Sequence, residues 1–137
     1  SAVYAKWHEQ VLQYTAGELP SHGAVWLLYY PNIMVEWYPH TLVISSIWPT
    51  GMESCRNTVE FYYPEEIALF ERDFVEAEQA AYQETALEDD EICKMMTAGR
   101  RALFEQGINE TGPYQIPMEA GLEQFHQFLR QKMQRYV

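Results

Sequence analysis

The sequence predicts an α+β chain in which an antiparallel sheet carries long helices on one face. Three observations lead there. Apolar residues alternate at a period of two between Gly23 and Tyr63, then recur at a helical period after Pro64. Turn residues cut the first region into short pieces at Pro31-Asn32, Pro39-His40 and Pro49-Thr50-Gly51. A chain of 137 residues, 47% hydrophobic and 15% aromatic, has the material for one domain's core rather than for a disordered segment.

The elements follow in order. Ala2 to Tyr14 places Val3, Trp7, Val11 and Tyr14 at helix-like spacing, and Ala16-Gly17-Glu18-Leu19-Pro20 breaks the pattern. Ala24 to Tyr30 is a continuous apolar and aromatic run. Ile33 to Tyr38 alternates, with Ile33, Val35 and Trp37 on one face and Met34, Glu36 and Tyr38 on the other. Thr41 to Trp48 is rich in β-branched residues, and Asn57 to Tyr63 alternates again. Short connections between the four make an antiparallel meander. Pro64-Glu65-Glu66 opens a helix, because proline suits the first turn and acids favour the positive end of the dipole. Ile67, Phe70, Phe74, Ala77 and Ala81 form its apolar stripe. Thr85 to Glu88 matches a capping box, so a second helix is expected to start near Thr85 and run to about Phe104. Residues 109–117 are turn chemistry, and Met118 to Val137 reads as a last helix with Leu122, Phe125, Phe128, Leu129 and Met133 on one side.

The net charge of −11 speaks against nucleic acid or an anionic membrane as partner. No apolar run approaches the ~18 residues of a membrane span, and no signal peptide is expected. Cys55 and Cys93 form no disulfide framework, which fits a reducing cytoplasm. Between Glu65 and Glu91 stand eleven acids against Arg72 alone, as on the solvated face of an amphipathic helix or on a face that docks a basic partner.

One acid stands apart. In a helix that begins near Thr85, Asp89 shares a stripe with Ile92, Met96, Gly99 and Leu103, whereas Asp90 faces away with Lys94 at ion-pair spacing. A carboxylate on a core-facing stripe must be protonated, paired, capping or bound to a metal. His8, His22, His40 and His126 show no ligand-pair spacing. His126 reads as a partly buried structural residue, His40 as an exposed turn residue, and Cys93 as packing. No phosphate loop or nucleophile elbow occurs.

The order of Tyr30-Pro-Asn-Ile-Met-Val-Glu-Trp-Tyr-Pro39, Leu42-Val-Ile-Ser-Ser-Ile-Trp-Pro49, Thr85-Ala-Leu-Glu-Asp-Asp-Glu-Ile-Cys93 and Gly112-Pro-Tyr…Pro117-Met-Glu119…Phe125-His126 resembles the C-terminal part of the catalytic domain of Rieske-type non-haem iron oxygenases, the alpha subunits of ring-hydroxylating oxygenases. The resemblance runs from about Gly23 to Met133. It implies a helix-grip (START-like) domain, of which residues 1–137 are a single partial catalytic domain without the Rieske domain and the N-terminal part. It implies mononuclear Fe(II) held by two histidines and one carboxylate, with a [2Fe–2S] cluster in the parent protein.

In the family the aspartate ligand opens a Glu/Gln-Asp-x-x-x-Cys/Trp-like stretch, which Glu88-Asp89…Cys93 matches, so the resemblance gives Asp89 the metal role. The family's H-x4-H pair has no counterpart here. Tyr82, Thr85 and Met96 are then expected to line the substrate site. The implied parent enzyme takes electrons from a reductase, activates O₂ and hydroxylates or demethylates a small aromatic or quaternary-ammonium-type substrate. It is expected to be a homo-oligomer, a trimer in many relatives, and the chain alone is expected to be inactive. The competing expectation is a stand-alone helix-grip ligand carrier without metal, since this scaffold serves both.

Overall fold

A computed structural model describes residues 1–136. Helix α1 spans Ala2–Tyr14, the hydroxyl of Ser1 accepting a hydrogen bond from the Tyr4 amide at 3.3 Å. Its Trp7, Val11 and Tyr14 lie at i, i+4 and i+7, the spacing of one face, and that face packs on a later helix. Gly17, at φ 82°, closes the helix with its amide on the Leu12 carbonyl at 2.9 Å.

The sheet is the expected antiparallel meander, in the order β1 (Val25–Tyr29), β2 (Ile33–Tyr38), β3 (Thr41–Gly51) and β4 (Ser54–Tyr62). The register aligns Trp26 with Glu36, Glu36 with Val43, and Val43 with Phe61. One step along it aligns Leu28, Met34, Ser45 and Val59. Period-two alternation places all of these on one face. Val25, Leu27, Trp37, Leu42 and Tyr62 belong to the other face and are exposed.

The β3–β4 hairpin is longer than the expectation of a turn at Pro49-Thr50-Gly51. Pairing continues through Pro49 and Gly51 with a register shift between them, and Met52-Glu53 turn the chain. The reason is the free edge. β2 leaves β3 at Ser46, so beyond that point Pro49 has a neighbour on one side only and its missing N–H costs no ladder bond.

Helix α2 (Glu65–Phe70) opens after Pro64 as predicted, and at Glu71 (φ −118°, ψ 61°) the chain turns into α3, Arg72–Glu105. This corrects the expected helix start near Thr85: α3 passes through that position without a break. The Thr85 hydroxyl donates back to the Ala81 carbonyl at 3.4 Å and meets the Tyr4 hydroxyl, leaving no cap to form. Between Arg72 and Ala98 there is neither glycine nor proline to end the helix. Gly107, at φ 70°, follows its end, and the Ile108 amide bonds the Leu103 carbonyl at 2.9 Å.

Helix α4 (Ala120–Met133) rests Phe125 and Phe128 on Tyr30, with ring centroids 5.3 and 4.9 Å away. The predicted last helix runs to Val137, which lies outside the described residues. The core gathers Val11, Ile67 and Phe74, with Trp7, Tyr14, Tyr63 and Val75 against it. Everything that buries a side chain fully on α3 lies in its first ten residues, from Phe74 to Ala81.

Candidate functional site

Along α3, Glu78, Tyr82, Thr85 and Asp89 fall at i, i+4, i+7 and i+11, one stripe on one face. The lower three each meet another element. Glu78 is buried and accepts from the Trp7 indole of α1, Tyr82 reaches the sheet, and Thr85 meets Tyr4 of α1. Burial pushes the Glu78 carboxyl up to about 7, against the opposing pull of the Trp7 N–H.

Tyr82 leads to a second buried acid. Glu36 on β2 is 5% exposed. Its Oε1 accepts from the Tyr82 hydroxyl at 2.9 Å, and its Oε2 accepts from Tyr38 at 2.7 Å and from the Trp26 indole at 3.1 Å. Ser45 meets the Tyr82 oxygen at 3.0 Å, and the Phe61 ring stands edge-on to Tyr82 at 5.3 Å. Burial first, and then the bond to Glu36, push the Tyr38 phenol up. Burial also raises Tyr82, opposed by the Ser45 hydroxyl and reinforced by Glu36 and Asp89. Both phenols therefore stay protonated and serve as donors at neutral pH. The Trp7 ring stands edge-on to Tyr38 at 6.2 Å and joins the surroundings of the two acids.

Asp89 continues the stripe beyond this packed region. Lys94 holds Asp90 at 2.6 Å, as the spacing predicts, and Glu91 at 3.0 Å. Asp89 has neither hydrogen bond nor ion pair among the described residues. The expectation of a core-facing stripe around it requires correction. Asp89 is exposed, and Ile92 and Met96 are 46% and 63% exposed. The periodicity is right, but nothing in this chain packs on that length of α3. Of the predicted substrate-lining residues, Tyr82 and Thr85 join the polar stripe, whereas Met96 stands in solvent.

Two further readings change. His40 is half-buried in a left-handed turn (φ 64°), packed edge-on near Tyr14 and Phe74, because the turn folds it back over the core. Cys93 is exposed rather than packed, because it lies on the bare length of α3. His126 is half-buried and bonds the Tyr114 hydroxyl at 2.8 Å, in keeping with a structural role.

Among the described residues no three His, Cys, Asp or Glu side chains converge as a metal would require. A carboxylate such as Asp89 is one of the three donors that such a triad takes. No helix is long and apolar enough to cross a membrane among the described residues.

The acids that the structure buries are Glu36 and Glu78, and Asp89 is exposed. Glu78 sits one residue after Ala77 and four after Phe74, inside the apolar stripe, and that spacing was available in the sequence. Glu36 was legible only as sharing a face with Met34 and Tyr38. Both faces of β2 carry apolar residues, so the pattern left open which one is covered.

The family model described as "Ring hydroxylating alpha subunit (catalytic domain)" matches residues 1–135. The chain is 60% identical over 133 residues to putrescine 2-hydroxylase of Ralstonia nicotianae, covering 97% of this chain and 36% of that protein. It is 56% identical over 133 residues to putrescine 2-hydroxylase of Bordetella bronchiseptica, covering 97% of this chain and 31% of that protein. Chloroplastic choline monooxygenase of Spinacia oleracea is 31% identical over 104 residues, covering 76% of this chain and 23% of that protein. The chain thus spans about a third of the length of the first two relatives. No solved structure matches it.

Proposed function

We propose, since this chain belongs to the family of ring-hydroxylating alpha subunits and matches its catalytic domain over residues 1–135, that it forms part of an oxygenase acting on a small cationic alkylamine. The relatives support the amine. Putrescine and choline, named in them, share a positively charged nitrogen on a short alkyl chain. A net charge of −11 suits such a substrate electrostatically.

Non-haem Fe(II) would supply O₂ activation, with electrons delivered through a [2Fe–2S] cluster by a reductase. Of that machinery this chain would contribute one ligand, Asp89, with the others coming from the remainder of an oligomeric parent enzyme. Its own residues do three things. Asp89 offers a carboxylate without competing partners among the described residues, two helical turns beyond Tyr82. Tyr82 and Thr85 carry hydroxyls on the same stripe, and the sheet fixes the Tyr82 hydroxyl through Glu36 and Ser45. The packed lower half of α3 makes that placement rigid, as a site on a helix requires.

The observation that carries the Asp89 reading is its position. It continues the stripe of Glu78, Tyr82 and Thr85 on α3, and the neighbouring acids Asp90 and Glu91 are already engaged by Lys94. The test is Asp89→Ala in the full-length protein. Because the side chain is exposed and unbonded here, folding should be unchanged by circular dichroism, while bound iron and amine turnover are both lost. Retention of stoichiometric iron and turnover would sink the assignment.

A further inference from the structure

We infer that the Glu36 carboxylate, cradled by Trp26, Tyr38 and Tyr82, anchors the primary ammonium group of the substrate. This rests on the amine reading above and names the residue that would recognise it.

Four observations support the assignment. Glu36 is a buried acid without a counter-ion: its partners are an indole and two phenols, all neutral, and no Lys, Arg or His pairs with it among the described residues. Buried charge is ordinarily matched by opposite charge, and a cationic ligand would provide it. An ionised carboxylate offers about four acceptor directions. Tyr38 and Trp26 take those of Oε2 and Tyr82 takes one on Oε1, which leaves Oε1 one to give to an N–H.

Trp26, a partner of Oε2, is 65% exposed, so the cradle reaches the molecular surface on that side. Finally, Tyr82 belongs both to the cradle and to the stripe that ends at Asp89, about 10 Å further along the helix at 1.5 Å per residue. An amine held at Glu36 by one end would have its alkyl chain free to extend along α3 toward Asp89. A quaternary ammonium has no N–H to give to Oε1, so this anchor favours primary amines.

The test is calorimetric titration of 1,4-diaminobutane into the anaerobic full-length holoenzyme. Glu36→Gln keeps the shape and an acceptor oxygen but removes the charge. It should weaken binding by roughly 10- to 100-fold, the range of a lost charge-assisted hydrogen bond. Tetramethylammonium, which donates no hydrogen bond, should lose less, and an equal loss for the two probes would overturn the hydrogen-bonded anchor. Trp26→Ala, at an exposed position, should cost a few-fold in diamine affinity and serves if the Glu36 variant does not fold. Unchanged affinity in Trp26→Ala, or in a folded Glu36→Gln, refutes the anchor.

Asp89→Ala separates the two readings, since it should keep diamine affinity while losing turnover. Wild-type diamine oxidation alongside normal binding by Glu36→Gln would leave the oxygenase standing and the anchor wrong. Turnover of another substrate with no binding of any primary amine would remove the amine reading and the anchor together.

Discussion

Residues 72–85 of α3 bury Phe74, Ala77, Glu78 and Ala81, with Trp7 and Tyr14 of α1 and the His40 turn close by, whereas residues 86–105 of the same helix leave Leu87, Ile92, Met95, Met96 and Phe104 exposed. Both halves carry apolar side chains at helical spacing, and both carry an acid on the same stripe. The lower acid, Glu78, is buried with a raised carboxyl, and the upper one, Asp89, stands in water. Amphipathic spacing states which side chains a helix would turn toward a neighbour. It does not state that the neighbour is there.

The largest expected effect tests whether the two halves really differ. Phe74 is 0% exposed and Phe104 is exposed, so the same truncation should have opposite consequences. Phe74→Ala should cost about 3–5 kcal/mol in chemical denaturation, and Phe104→Ala should stay within about 0.5 kcal/mol. Similar losses at both sites would erase the contrast.

The next effect is electrostatic. The folded chain holds the Glu78 proton more tightly than the unfolded one, so the stabilising contribution is complete below the ordinary carboxyl value of 4.5 and fades as the pH rises through about 7. The span between those values corresponds to about 3 kcal/mol, as an order of magnitude. Stability of the wild type relative to Glu78→Gln should therefore fall between pH 4.5 and 7, read from melting curves across that window. Parallel pH profiles for the two proteins would show that the acid is ionised in the fold.

A smaller effect probes the link from helix to sheet. Tyr82→Phe removes the hydroxyl shared by Glu36 and Ser45, and denaturation should report a loss of about 1–3 kcal/mol for the buried acceptor left short of a donor. The smallest effect belongs to the bare half. Ile92→Ser and Met96→Ser should shift the stability of this chain by less than about 0.5 kcal/mol. A loss of core size at either position in the full-length protein would show that further chain covers this length of α3 there.

Much of the fold was legible because local chemistry decides it. The turns at Pro31-Asn32 and Pro39-His40, the alternation of β2 and the proline-and-acid opening of α2 each act within a few residues, and the structure follows them. The break at Glu71 and the continuity at Thr85 were not legible. A threonine followed three residues later by glutamate suits a helix start and a helix interior alike, and here contact with Tyr4 and the Ala81 carbonyl decides between them.

For the site, the sequence by itself determined the residue types and their spacing: an aspartate seven residues beyond Tyr82, and an acid sharing a strand face with Met34 and Tyr38. It also placed the chain in its family by motif order, which the family match bears out. Only the tertiary structure decided which acids are buried. Burial of Glu36 depends on Trp26 from β1, Tyr38 from the end of β2 and Tyr82 from a helix distant in sequence, and burial of Glu78 on Trp7 from α1. Desolvation and hydrogen-bond satisfaction arise from groups brought together by packing, and no spacing along one element encodes what will lie opposite it.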